Sequence, residues 1–251
     1  MRYTEIPFFC LAFFIPVVLS GCMSINRTRE AMRIPDGFVI FSFDDGPNAH
    51  TDTTARLLDV LRKYDIQALF VLLGENVDRY PELAGRIRDE GHLVVNHGYT
   101  DKWAAFMGAE EFTFNLLRGE ETLDGNLNLR LYRPQGGMYR KSQQKIWQEK
   151  GYTLVPATVR PCDAVKKKAS REKIIKKIID GVTKQGGGLI VLHDARDSYT
   201  RMEKYLDRDP EGEFNRSWIP EMVEELIGLL LERGYRVNGF DITEILDIET
   251  G

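Results

Sequence analysis

Phe38-Val39-Ile40-Phe41-Ser42-Phe43-Asp44-Asp45-Gly46-Pro47 is a run of aromatic and β-branched residues that stops on two adjacent acids and a Gly-Pro turn. Phe38 to Phe43 reads as a short apolar strand, and the turn ends it. Two neighbouring carboxylates at a strand end repel each other, so folding gains nothing from them unless a cation or a proton lies between. Successive strand residues face opposite ways, but a turn at Gly46-Pro47 can swing both acids toward one cavity. One Asp then binds a metal while its neighbour acts as a base. The alternative is an Asp-Gly turn with two solvated acids.

Outward from this strand, strand-like and helix-like segments alternate. Phe38–Phe43 precedes a helical pattern over Thr53–Tyr64, with Leu57, Leu58 and Leu61 on one face. Ala68–Leu73 precedes Tyr80–Glu90, and Leu93–Asn96 precedes, after a loop, Ala109–Leu127. Leu131–Arg133, Tyr152–Val159 and Leu189–Leu192 each precede a helix, the last of them after a long polar stretch; Tyr235–Phe240 and a short Ile242–Leu246 helix close the series. Such alternation predicts a parallel sheet with crossover helices, closed into a barrel or left open. About seven βα units with functional residues at strand ends favour a barrel whose site lies on its carboxyl face.

Four more fragments sit at or just after short apolar runs: Asn96-His97-Gly98-Tyr99-Thr100-Asp101, Tyr132-Arg133-Pro134-Gln135-Gly136-Gly137, Cys162-Asp163, and Leu189-Ile190-Val191-Leu192-His193-Asp194. In this order and spacing, the chain from about Gly37 to about Leu246 resembles the polysaccharide deacetylases of carbohydrate esterase family 4. That resemblance implies an α/β fold, a distorted (β/α) barrel of about seven parallel strands. The implied activity is metal-dependent hydrolysis of acetyl groups from a polymeric carbohydrate. N-deacetylation of an N-acetylglucosamine-containing glycan comes first, because an enzyme tethered in the envelope meets peptidoglycan or a chitin-like polymer. An O-acetyl polysaccharide esterase, or a carbohydrate-binding relic of the same fold, are the alternatives.

Carried over residue by residue, the resemblance makes Asp45 a metal ligand and Asp44 the general base. His97 matches the first histidine of the metal motif. Asp101 stands where the family's second histidine falls, so an Asp45–His97–Asp101 set is expected to hold one divalent ion, zinc first, with cobalt, nickel or manganese open. Two carboxylates and one imidazole neutralise the ion's formal charge and make it a weaker Lewis acid than the family's usual set. Arg133 is expected to pair with Asp44 and orient it. Gly136 takes a position that usually carries an aromatic, and its N–H is the expected oxyanion donor. His193 is the general-acid candidate, with Asp163 as its carboxylate partner; the residue after that Asp is Ala164, where the family usually has tryptophan. Val191 and Leu192 are expected to line a pocket for the acetyl methyl. His50 and His92 lack a carboxylate or strand-end context and read as structural. Trp103, Tyr139, Trp147 and Trp218 either stack on sugar rings or pack in the core.

The 251 residues suffice for one large α/β domain, and 34 basic against 38 acidic side chains argue against a nucleic-acid partner. Ile6–Ser20 is almost wholly apolar and ends in Leu19-Ser20-Gly21-Cys22, which looks like a bacterial lipoprotein cleavage box. The expected organisation is therefore a signal segment over 1–21, a tether over 22–36 and a catalytic domain over 37–251. Lipid on Cys22 would hold the protein at the envelope, facing away from the cytoplasm. An ordinary secretory leader or an uncleaved anchor are the alternatives. Cys10 would leave with the leader, so Cys162 has no disulfide partner. A monomer acting on an acetylated glycan is the expected state. Ala195–Ser217 is the one long stretch without a clean pattern, and is either part of a substrate groove or a solvated insertion.

Overall fold

The computed structural model describes residues 25–27, 34–127, 129–155, 157–165, 168–195 and 216–248. Cys22 and the expected leader lie outside them, as does most of the 195–217 stretch. No helix among the described residues is long and apolar enough to cross a membrane.

The described elements run in the expected alternation. Strand β1 is Ile25–Arg27 and β2 is Val39–Asp44, followed by helix α1, Thr53–Lys63. Strand β3, Leu69–Leu72, leads into helices α2, Gly74–Arg79, and α3, Pro81–Asp89. Strand β4, Leu93–Asn96, leads to α4, Ala109–Leu123. Then come β5, Leu131–Tyr132, β6, Met138–Arg140, α5, Lys141–Glu149, and β7, Thr153–Leu154. Helix α6, Arg171–Gln185, strand β8, Gly188–His193, and helices α7, Ile219–Glu232, and α8, Ile242–Ile245, complete the series.

Six parallel strands pair in the order β7-β5-β4-β3-β2-β8. The ring then closes through the residues after β7. Val155 donates its N–H to Tyr132 (2.9 Å), while Val159 donates to Leu189 (2.9 Å) and accepts from Val191 (3.0 Å). The segment 153–159 thus touches both edges of the sheet, and the result is a distorted (β/α) barrel. Two expectations are corrected. Tyr235–Phe240 is not a strand: it makes a single parallel bridge, Arg236 to Phe38. Here β2 extends below the start of β3, so one residue fills the gap and there is no length of partner for a ladder. The expected tether also contains order, because Ile25–Arg27 pairs antiparallel with Met138–Arg140.

The two faces of each strand divide the core. Phe41, Phe43, Phe70 and Leu72 face outward, against α1, α6 and α7, whose stripes include Leu57, Leu61, Ile178, Val182, Val223 and Leu226. Residues of the other parity, Ile40, Leu69, Val71, Val95, Leu131, Leu189 and Val191, fill the barrel interior together with Ile242 and Leu246. The Ile242 N–H donates to Gln67 Oε1 (2.9 Å) just before β3, which sets α8 across the amino end of the barrel as a plug. Burying each large side chain of this kind stabilises by about 1.5–3 kcal/mol. The carboxyl end is where inward-facing positions stop being apolar.

Candidate functional site at the carboxyl end of the barrel

Counting by twos along the inward face gives Ile40, Ser42, Asp44 on β2 and Leu189, Val191, His193 on β8; His97 just past β4 and Arg133 just past β5 have the same parity. The pleat that buries the apolar layer therefore also aims Asp44, His97, Arg133 and His193 into one end of the barrel. Asp44 is level with His193 in the β2–β8 ladder, and Ser42 is level with Val191.

Asp45 would face outward if the strand continued. Instead its backbone turns to φ +75°, a left-handed conformation that Asp tolerates better than most residues. Its N–H donates to the Val71 carbonyl (3.1 Å), and its own carbonyl accepts from Asn76 Nδ2 (2.7 Å). The side chain swings to His97, with Asp45 Oδ1 3.4 Å from Nε2. Both residues are buried. His97 Nδ1 lies 2.7 Å from the Arg133 carbonyl, which can only accept, so Nδ1 carries a proton. In the neutral ring Nε2 is then an acceptor facing a carboxylate oxygen. Two acceptors at that distance repel unless a proton or a cation lies between them. An imidazole oriented by a backbone carbonyl, beside a carboxylate, is a donor set that suits a divalent ion. Burial alone would raise the Asp45 carboxyl, but His97, His193 and Arg216 bring it below its usual value.

Asp101 is not brought into this pair. It is half-buried in the loop four residues past His97, and among the described residues no three His, Cys, Asp or Glu side chains converge as a metal set. The loop's anchoring explains its path. Asn115 Oδ1 accepts from Tyr99 N–H (3.1 Å), Thr100 N–H (2.9 Å) and Thr100 Oγ1 (3.2 Å). Gln135 Nε2 donates to the His97 and Thr100 carbonyls. Asn96 Oδ1 accepts from Gly98 N–H (2.7 Å). Gly98 has φ +79°, and a Cβ there would lie 2.0 Å from Gln135 Nε2, so only glycine fits beneath the clamp. Asn96, Asn115 and Gln135 were not anticipated as site residues. One signal was available: Asn115 stands in the apolar stripe Phe112, Leu116, Leu123 of α4, where a polar side chain must find partners.

Arg133 Nη1 donates to Asp44 Oδ1 and to Ser42 Oγ, the latter at 2.9 Å. The Ser42 hydroxyl in turn donates to the Ile190 carbonyl (3.0 Å). Burial pulls the guanidinium below its ordinary pKa, and Asp44 opposes that shift. A buried ion pair locked by a third partner holds Asp44 Oδ1 and so fixes the orientation of the carboxylate.

Asp163 meets His193 twice: Oδ1 accepts from Nδ1 and Oδ2 from the backbone N–H, both at 2.9 Å. Burial lowers the imidazole pKa, but the charge and hydrogen bond of Asp163, then Asp45 and Asp44, raise it to about 9. Arg216, also unanticipated, donates to the Asp163 carbonyl (3.0 Å) and to the Ala164 carbonyl, fixing the turn that carries the acid. Val191 lies buried below His193 in the barrel interior. Gly136 sits on the rim at φ +69°. His92 is a packing residue: Nδ1 accepts from Ala68 N–H (3.3 Å), the ring lies 5.1 Å from that of Phe70, and burial lowers its pKa to about 4. Tyr139, Trp147 and Trp218 are buried, whereas Trp103 is open to solvent.

Comparison with known proteins identifies the matched domain and the shared fold. Residues 32–155 match the family model described as polysaccharide deacetylase. A peptidoglycan-N-acetylglucosamine deacetylase of Bacillus cereus is 32% identical over 127 residues, which are 50% of this chain and 46% of that protein; the chain thus spans about half the length of this relative. The fold is shared with the Bc1960 peptidoglycan N-acetylglucosamine deacetylase, at TM-score 0.70 and 22% identity over 87% of this chain and 92% of that one. It is shared too with BA3943 of Bacillus anthracis, described as a CE4 family pseudoenzyme, at TM-score 0.63 and 22% identity over 86% and 67%. The chain therefore contains a polysaccharide deacetylase family domain over residues 32–155, within a fold that it shares with these structures.

Proposed function

We propose that this protein is a metal-dependent deacetylase that hydrolyses acetamido groups on an N-acetylglucosamine-containing glycan such as peptidoglycan. The observation that supports it most is the convergence of three preformed pairs at one end of the barrel: Asp44–Arg133, Asp45–His97 and His193–Asp163. The names of the relatives favour the N-acetyl substrate over an O-acetyl ester.

Asp45 and His97 would hold the ion, with Asp101 on the same clamped loop as the candidate third ligand. Zinc is the first choice for this donor set, and cobalt, nickel or manganese are compatible. When bound, a divalent cation supplies polarisation of the acetyl carbonyl and a more acidic attacking water. Asp44 accepts the proton of that water as its oxygen bonds to the carbonyl carbon, and Arg133 keeps the carboxylate aimed. The Gly136 N–H is the proposed donor to the developing oxyanion. His193, protonated and held by Asp163, gives its proton to the leaving nitrogen as the C–N bond breaks, so acetate and a free amine result. Val191 is the proposed apolar neighbour of the acetyl methyl. Lipid anchoring through Cys22 at the outer envelope remains part of the proposal, and matches where peptidoglycan is found.

The test pairs turnover with metal content. Purified protein should release acetate from acetylated glycan and lose that activity to a chelator. Asp44→Asn should lower turnover by about 100- to 10,000-fold with bound metal unchanged. Full turnover in Asp44→Asn would remove it as the base. A second reading, a carbohydrate-binding relic, is favoured by one observation: Asp101 stands apart from the Asp45–His97 pair. Metal-free protein that stays inactive after reconstitution would establish that reading instead.

A further inference from the structure

Gly136 and Trp103 share one space. A Cβ built on Gly136 would lie 2.9 Å from both Cγ and Cδ2 of Trp103, so the indole rests on the bare glycine backbone. Trp103 belongs to the clamped loop two residues past Asp101, and Gly136 follows Gln135, which clamps that loop. The indole is therefore seated on the rim, on the turn that follows Arg133 and in the loop that follows His97. A second ring flanks it: Phe106 lies in an offset stack against Trp103, with centroids 5.9 Å apart and planes 12° from parallel. Both are large and apolar, yet they are 45% and 62% exposed. An exposed, nearly parallel aromatic pair on the polar rim buries only part of its apolar area on folding, and leaves ring surface of the kind that the axial C–H face of a pyranose covers.

We infer that Trp103, seated on Gly136 and flanked by Phe106, is a stacking platform that binds a pyranose ring of the glycan next to the one being deacetylated. The inference rests on the proposed function for the identity of the polymer. Glycine at 136 is what admits the indole, since any larger side chain there would carry left-handed strain and displace the ring. The aromatic contact that position 136 does not supply thus comes from another element.

Trp103 can be read directly. The chain has three tryptophans, and Trp147 and Trp218 are 1% and 2% exposed, so a bound sugar alters chiefly the emission of Trp103. The full chain is titrated with a soluble β-1,4-linked tetrasaccharide of N-acetylglucosamine, following tryptophan emission and, in parallel, heat of binding. A saturable emission change is expected in the wild type. Trp103→Ala should weaken calorimetric binding about tenfold while its thermal midpoint stays within a few degrees of wild type, and Trp103→Phe should recover most of the affinity. Absence of a saturable response in the wild type, or equal affinity in Trp103→Ala, overturns the platform. Binding that depends on Trp103 without acetate release would leave the platform standing and remove the deacetylase reading. Acetate release with the same kcat/KM in Trp103→Ala would do the reverse.

Discussion

At the residue scale, the proton state of His193 is the quantity that Asp163 controls. Burial of the imidazole by itself favours the neutral form, and the pKa still rises to about 9 because the charge of Asp163 and its hydrogen bond to the ring favour the cation. A cation held by Asp45 would cancel the share due to that acid and leave Asp163 as the dominant support. Because the folded pKa lies above the unfolded value of about 6.5, the ion pair's contribution to stability is fully present below that pH. It is lost as pH rises toward 9. In the proposed reaction the same proton is given to the leaving nitrogen, so the alkaline limb of kcat/KM should fall as His193 deprotonates. Asp163→Asn keeps an oxygen for one of the two donors and removes the charge. Its alkaline limb should move to lower pH by about one unit or more, with a lower plateau and unchanged metal content. A pH profile that superimposes on wild type would show that Asp163 does not set this proton.

At the element scale, the loop from His97 to Trp103 is where sequence pattern and structure part company. Strand parity alone places Asp44, His97, Arg133 and His193 on the inward face, because each stands at an even spacing from a buried apolar neighbour. No such rule reaches Asp101 or Trp103. Their positions follow from hydrogen bonds between amide side chains and loop backbone that come from α4 and from the residues after β5, and a linear pattern does not register contacts of that kind. Asp45 is an intermediate case: the doubled acid singled it out, but the left-handed backbone that aims it at His97 was not legible. The clamp has a testable consequence. Asn115→Leu is close in size and withdraws the oxygen that serves Tyr99 and Thr100. Unfolding by urea should show a loss of about 1–3 kcal/mol, since the Thr100 donors lose their partner. Metal affinity should fall about 10- to 100-fold as His97 loses its fixed loop. Weaker stability with metal affinity intact would reduce Asn115 to a packing role.

At the scale of the whole molecule, the barrel was readable because alternating strands and amphipathic helices have few ways to bury both of their apolar faces. Its closure was not. The return edge is made by Val155 and Val159 rather than by another full strand, and the amino end is stopped by α8 and the single bridge at Arg236. A ring closed by so few bonds depends on what joins its carboxyl end, where Asp45 continues β2, His97 continues β4 and Arg133 continues β5. A cation shared by Asp45 and His97 would tie two of these strands together and bind the folded chain alone, so it must stabilise by linkage. At free metal about 100 times its Kd the gain is about 2.7 kcal/mol. For a domain of this size that corresponds to a rise in Tm of about 5–10 °C. Scanning calorimetry of chelated protein with and without added zinc should show that rise. His97→Ala should abolish it, whereas Asp44→Asn, which leaves the pair intact, should retain it. An equal Tm with and without metal would show that Asp45 and His97 face each other across a proton, and that the carboxyl end of the barrel holds without an ion.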